Sequence, residues 1–206
     1  MVNKNRPSAL YLNEPLANML RKEGLLKTQN KGSVIIDGIS TTELCLIETG
    51  SVCITRKSDH LLLGAVEAPV LLGLTTLFHT FDYIMKAETK VTYYSLPREK
   101  ALEMIKTYDL WEDVARLQSY HLSRFVNRDN RLTGKSAYEI IKAQLEELGA
   151  LPLDERVMIS TYKYIVDRSG ISRSRVYHIL QQLTKGGYIK INNGILVAIN
   201  PLPSKF

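Results

Sequence analysis

The sequence predicts an α+β protein with an N-terminal antiparallel β-roll or sandwich, a long central helix, and a C-terminal winged helix-turn-helix. Three observations predict it. Between Ser33 and Ser95, short β-prone runs are broken by turn residues, the pattern of a small antiparallel sheet protein. From Leu110 to Asn130, apolar residues return every three to four positions, a helical period. Beyond Ser160 come a helix, a glycine turn, a basic helix, a glycine stop and a hairpin, in that order.

Residues 1–30 read as a polar, helical lead-in with Leu16, Met19 and Leu20 spaced to face a core. Strands are expected over 33–37, 43–48, 51–56, 61–66, 83–87 and 91–96. Thr49-Gly50 reads as a hairpin turn, Lys57-Ser58-Asp59 as another, and the last two strands as a closing pair. Pro97 opens a helix over 98–107, a place where its missing N–H costs nothing. In the next helix, over 110–130, the recurring residues are Leu110, Val114, Leu117, His121 and Phe125, flanked by Trp111 and Leu122. Such a stripe packs either on its own domain or, at this length between two domains, along a coiled-coil dimer seam. Thr133-Gly134 marks a hinge, and Ser136-Ala137-Tyr138-Glu139 is a capping box opening a helix that ends at Gly149. The expected domains are a sensor-like roll (1–108), a dimerisation helix and hinge (109–134), and a DNA-binding domain (135–206).

Composition narrows the function classes. The chain has 206 residues, 45% hydrophobic and 23% charged, a balance that supports one or two ordinary globular cores. No run of about 18 apolar residues suggests a membrane span, and Met1 to Pro15 lacks the apolar block of a signal peptide, so a cytoplasmic protein is expected. Cys45 and Cys53 are too few for a disulfide scaffold or a structural zinc site. No nucleophile motif, phosphate-cradling loop or metal cluster points to an enzyme, and no cofactor is expected. The net charge is +6, and seven basic residues after Ser160 stand against the single acid Asp167. The whole excess therefore lies at one end of the chain, as expected of a phosphate-backbone binder.

That end carries the candidate site. Thr161 is placed to cap a helix running to Arg168, and Gly170 falls where the tight turn needs positive φ. Ser172 is placed to cap a second helix, 173–185, whose Val176, Ile179, Leu180 and Leu183 form a buried stripe. Arg173, Ser174, Arg175, Tyr177 and His178 are left outward on its first turns, where a recognition helix meets base edges. Gly186-Gly187 stops the helix, and strands over 188–191 and 195–199 flank Asn192-Asn193-Gly194, a hairpin signal for the wing. With Lys190 on the wing, Thr161, Ser172, Arg173, Ser174, Arg175, Tyr177 and His178 are the candidate contacts to double-stranded DNA. The alternative is an adaptor that uses a winged helix for protein contacts.

The run Ser172-Arg173-Ser174-Arg175-Val176-Tyr177-His178-Ile179-Leu180, followed by Gly187-Tyr188-Ile189, resembles the C-terminal domain of Crp/Fnr-family regulators. Gly32-Ser33-Val34-Ile35, Glu48-Thr49-Gly50-Ser51-Val52, Leu72-Gly73-Leu74 and Leu96-Pro97-Arg98-Glu99 extend the resemblance through the cyclic-nucleotide-binding-like roll. More narrowly, Gly64 to Pro69, Leu110-Trp111, Lys185 to Ile189 and Ile199 to Ser204 are similar to the enterobacterial inhibitor of hydrogen peroxide resistance (IprA) family. The resemblance implies a homodimer on palindromic DNA, with Leu110, Val114, Leu117, His121 and Phe125 at the dimer interface. The narrower likeness implies oxidative-stress and virulence-related gene control.

Three departures matter. Leu74 stands where nucleotide binders of the family have a glutamate, and Phe81-Asp82-Tyr83-Ile84-Met85 has no arginine for a phosphate. Control by cyclic AMP is therefore not expected, and the roll is left to an unknown, more apolar effector or to none. Residues 1–44 hold no cysteine for an iron–sulfur cluster. Ser174 and His178 replace the family's usual glutamate and arginine, so the operator should differ from the common half-site. If Thr49-Gly50 is a hairpin turn, Cys45 and Cys53 point to opposite faces, which argues against a disulfide and reads both as buried thiols. His60 and His79 read as loop residues, without metal-ligand spacing.

Overall fold

The structure, a computed structural model, describes residues 12–40 and 43–204. The expectations for residues 1–11, and Lys205 of the basic count, lie outside the described residues. The described chain divides into two units, residues 12–125 and 126–204, with the division inside a helix. Among the described residues no helix is long and apolar enough to cross a membrane.

The first unit contains α1 (Glu14–Glu23), β1 (Leu25–Gln29), β2 (Val34–Asp37), β3 (Glu43–Thr49), β4 (Ser51–Arg56), β5 (Leu62–Glu67) and β6 (Val70–Leu72). A 3₁₀ turn (Leu74–Leu77), β7 (Tyr83–Ala87), β8 (Val91–Pro97), α2 (Arg98–Thr107) and the first part of α3 (Trp111–Leu132) complete it. Two antiparallel sheets form the roll, one in the order β1-β8-β3-β6 and the other β2-β7-β4-β5. Ile36, Cys45, Ile47, Val52, Leu72, Met85 and Tyr93 fill the space between them. The other face of the first sheet, through Leu44, Leu46 and Leu96, packs with Leu16, Leu20, Ile105, Val114 and Leu117 of the helices.

The strands fall close to their expected places, but two pairings differ. The expected hairpins β3–β4 and β7–β8 do not form, and each of these connections crosses from one sheet to the other. A two-residue turn cannot be built where Gly50 alone separates β3 from β4. Gly50 has φ 88°, and a Cβ there would lie 2.4 Å from the Lys90 carbonyl oxygen, so the second crossing closes tightly over it. The two corners are tied together, since Glu88 N–H donates to the Ser51 carbonyl (2.8 Å) and Ser51 N–H to Thr89 Oγ1 (3.0 Å). The reading of residues 1–30 as helix also needs correction. α1 stops at Gly24, and β1 follows with Leu25 and Leu26 exposed. As an edge strand, β1 is held by backbone pairing to β8, so its sequence carries no alternating burial signal.

The stripe on the central helix also divides. Leu110, Val114 and Leu117 are buried in the roll's own core and are not free to form a seam with another chain. Leu122 and Phe125 are 62% and 60% exposed, and with Trp111 and Ala115 they form a second stripe. At about 100° per residue, that stripe is rotated by about a quarter turn from the buried one. Trp111 stacks on Phe78, with ring centroids 6.3 Å apart. His121, half-buried beside Tyr120, has its pKa lowered by burial.

β3 and β4 belong to different sheets, so Cys45 and Cys53 are not on the two arms of one hairpin. Both are free thiols. Cys45 is fully buried, and burial, reinforced by Glu43, pushes its pKa up to about 12, while Cys53 is half-buried and also raised by burial. Cys45 therefore keeps its proton in the fold, whereas in the unfolded chain it loses it near the ordinary value of about 9. Its contribution to stability is complete below that value and is lost as pH rises from there toward 12. We expect iodoacetamide at pH 8 to modify Cys45 only after denaturant is added. Mass spectrometry of the native protein showing rapid labelling at Cys45 would contradict this burial.

Candidate nucleic-acid interface

The second unit begins in the last turns of α3 and continues with α4 (Ala137–Gly149), α5 (Leu153–Arg156), α6 (Thr161–Ser169), α7 (Arg173–Lys185), β9 (Ile189–Asn192) and β10 (Ile195–Ile199). The capping box at the start of α4 is complete, with Ser136 N–H donating to Glu139 (2.8 Å) and Glu139 N–H to Ser136 Oγ (3.2 Å). The bond from Ser136 N–H, with the Ser136 hydroxyl adding to it, favours the charged carboxylate and holds the Glu139 pKa below its ordinary value. Gly170 has φ 69° and makes the sharp turn between α6 and α7. Val176, Ile179, Leu180 and Leu183 are buried in a core with Ile141, Leu145, Leu148 and Ile165, and with Ile189 and Leu196 of the hairpin. Asn193 (φ 47°) and Gly194 (φ 81°) make the hairpin turn with two consecutive left-handed residues, as a type I′ turn requires.

Burying that stripe leaves Arg173, Ser174, Arg175, Tyr177 and His178 exposed on α7, and Lys190 exposed on β9. The electrostatics are one-sided. Asp167, the lone acid after Ser160, is already paired with Lys163 (2.7 Å). Arg168 lies over the Tyr164 ring, 3.9 Å from its centroid, so its charge is also engaged. Burial, with Glu147 adding to it, pushes the Tyr164 hydroxyl up to about 12 and keeps it neutral. Among the described residues no acid pairs with Arg173, Arg175, Lys185 or Lys190, which leaves these four cations available to an anionic surface.

Two expectations change. Thr161 does not cap α6; Ser160 does, accepting from Lys163 N–H (3.4 Å). Thr161 is 0% exposed, with its hydroxyl unpaired, so its side chain is turned away from any DNA surface. Its backbone N–H instead donates to the Gly194 carbonyl (2.9 Å), latching the wing tip to the start of α6. Ser172 occupies the N-cap position of α7 but makes no side-chain cap; its Oγ lies 3.4 Å from Ser174 Oγ. The first-turn amides of α7 are thus left without a cap from Ser172, at the end where the helix dipole favours an anion.

Three residues of this surface were not singled out by motif. Tyr162 donates its hydroxyl to the Arg173 carbonyl (3.3 Å), joining α6 to the first turn of α7. Gln181 and Lys185 are exposed on the same face of α7 as Ser174 and His178. The helical spacing i, i+4, i+7, i+11 from Ser174 was the signal that could have found Gln181 and Lys185; Tyr162, on α6, has no such signal.

A buried hydroxyl without a partner carries a desolvation cost that a methyl group of similar shape does not. Thr161→Val should therefore leave the thermal midpoint unchanged or raised, and leave DNA retention intact. A drop in stability of about 1 kcal/mol or more, which unpaired burial does not predict, would overturn this assignment.

A family model for winged helix-turn-helix DNA binding matches residues 137–204, the unit just described. Across the chain, the sequence is 32% identical over 179 residues to the inhibitor of hydrogen peroxide resistance of Escherichia coli K12, covering 86% of each. To the protein of that name from Salmonella typhimurium it is 30% identical over 207 residues, covering 96% of this chain and 100% of that one. In structure it is similar to the c-di-GMP-responsive global regulator CLP of Xanthomonas campestris, with TM-score 0.71 and 18% identity over 91% of this chain and 100% of the other. A Crp/Fnr-family regulator from Eubacterium rectale superposes with TM-score 0.66 and 17% identity, over 92% and 91% of the two chains. At these identities the two structures establish a shared fold.

Proposed function

Because the chain belongs to the family of the inhibitor of hydrogen peroxide resistance, and has the fold of Crp/Fnr regulators, we propose that it is a homodimeric, cytoplasmic transcription regulator acting in oxidative-stress and virulence-related gene control. The observation that carries this reading is the face of α7. Its cations have no acidic partners among the described residues, and it lies on a unit that matches a winged helix-turn-helix DNA-binding family. Arg173, Ser174, Arg175, Tyr177 and His178 are the proposed contacts of the recognition helix, with Ser172 at its N-terminus and Lys190 on the wing.

Cyclic AMP does not fit this roll. No charged residue is buried among the described residues, and Leu74, in the position of the family's glutamate, is 2% exposed within the helix-side core. A cyclic phosphate held in the roll would leave its charge unpaired at high cost. Nor do the thiols suit direct peroxide chemistry, because burial raises the pKa of both and the thiolate is the reacting species. The link to peroxide resistance in the relatives' name is therefore assigned to the genes controlled. For the dimer, the seam is the exposed stripe of Trp111, Ala115, Leu122 and Phe125, in place of one through Leu110, Val114 and Leu117.

Binding through several phosphates should weaken steeply between 50 and 200 mM salt, the range over which counterion release is ordinarily measured. In filter retention of genomic fragments, Arg173→Ala and Arg175→Ala should each lower affinity by about tenfold, with an unchanged unfolding midpoint. No retention of the wild type at low salt would favour the protein-interaction adaptor instead. Leu122→Asp and Phe125→Asp should give folded monomers by light scattering, whereas Val114→Asp should abolish cooperative unfolding because it places a charge in the roll core. A dimer surviving both outward substitutions would move the seam elsewhere.

A further inference from the structure

The outward centre of α7 is the line Ser174, His178, Gln181, Lys185, one residue per turn, with Arg173 and Arg175 about 100° to either side of Ser174. On that line Gln181 alone carries a carboxamide, which presents a donor and an acceptor side by side on one carbon. Its side chain is not free. Gln181 Nε2 donates to the hydroxyl of Tyr177 at 2.8 Å, four residues and one turn earlier. Both side chains are exposed, so this bond fills no gap in the core. What it does is orient the carboxamide before any partner arrives.

We infer that Gln181, held by Tyr177, reads one adenine in the half-site, and so extends the sequence-reading surface a full turn beyond the residues at the start of α7. This rests on the DNA-binding reading above and deepens it. One amide N–H of Gln181 is spent on Tyr177, which leaves the second N–H and the carbonyl oxygen. Adenine presents the complementary pair in the major groove, the N7 acceptor and the N6 amino donor. Guanine presents two acceptors there and leaves the carbonyl of Gln181 without a donor; cytosine presents a donor only. The Tyr177 hydroxyl, having accepted from Gln181, keeps its own proton for a phosphate oxygen. Tyr177 thereby acts as a positioning residue. An unrestrained glutamine would lose several rotamers on binding, and the prior bond removes part of that loss. Gln182, the other glutamine of α7, lies about 100° off the line and is not assigned a base.

The test is selection from a random-sequence double-stranded DNA library with the full chain, followed by sequencing of the retained sites. The wild type should enrich a half-site in which one position prefers adenine by about tenfold over other bases. Gln181→Ala should flatten that position and leave the others unchanged. Gln181→Arg should move its preference to guanine, the base arginine pairs with at two points. Tyr177→Phe, which keeps the ring and removes the acceptor, should weaken the adenine preference at the same position only. An unchanged profile for Gln181→Ala, or adenine retained by Gln181→Arg, would overturn the inference while leaving the regulator standing. An unchanged profile for Tyr177→Phe would overturn the positioning role. If the wild type enriches no sequence at all, the DNA-binding reading itself falls, and this inference with it.

Discussion

The side chains of Val176, Ile179, Leu180 and Leu183 leave water together against α4, α6 and the hairpin, and this burial sets the rotation of α7 about its own axis. Each fully buried aliphatic side chain contributes about 1.5–3 kcal/mol relative to exposure. Turning the helix by one residue would expose part of the stripe and bury Arg175 or Tyr177 in its place. The surface offered to a partner is therefore a consequence of the core, since Ser174, His178, Gln181 and Lys185 face outward because they lie opposite the stripe. The wing is held in relation to the same core, through Ile189 and Leu196 from within and the bond from Thr161 N–H to Gly194 at its tip.

Competition for burial also shapes the roll. α3 has two apolar stripes, and the sheet face formed by Leu44, Leu46 and Leu96 takes only one of them. Val114 and Leu117 win because, with Leu110, they close a core already lined by Leu16, Leu20 and Ile105. The second stripe is left with Trp111, Leu122 and Phe125 outward. Inside the roll, burial of Cys45 and the absence of buried charge among the described residues make an apolar interior suited to uncharged side chains. One polar cluster lies beside it, in which Glu43 accepts from Lys27 (3.0 Å) and Ser95 (2.7 Å) and is held below its ordinary pKa against the opposing effect of burial.

Much of this was legible because it is local. Ser136 and Glu139 cap each other within one turn, Gly170 needs only its own φ, and Asn193-Gly194 needs only two left-handed residues in succession. The stripe of α7 repeats within 13 residues. Less visible were features made by partners distant in sequence. β1 lacks a clean alternation because it is an edge strand held largely by its backbone pairing to β8, and β6 is three residues long and exists only beside β3. Thr161 looked like a cap because it is a hydroxyl residue near a helix start, but Ser160 stands one position closer to where the backbone turns.

By itself, the sequence determined the kinds of elements and their order, the basic end of the chain, and the residues along the outward face of α7, because periodicity, caps and turn chemistry act over a few residues. The tertiary structure alone decided which strands pair across the corner at Gly50, and which of two stripes on α3 is buried. It also placed the Thr161 side chain inside. These outcomes depend on which surfaces compete for the same buried space, and that competition involves residues tens of positions apart. Nothing in any single window of the chain records it.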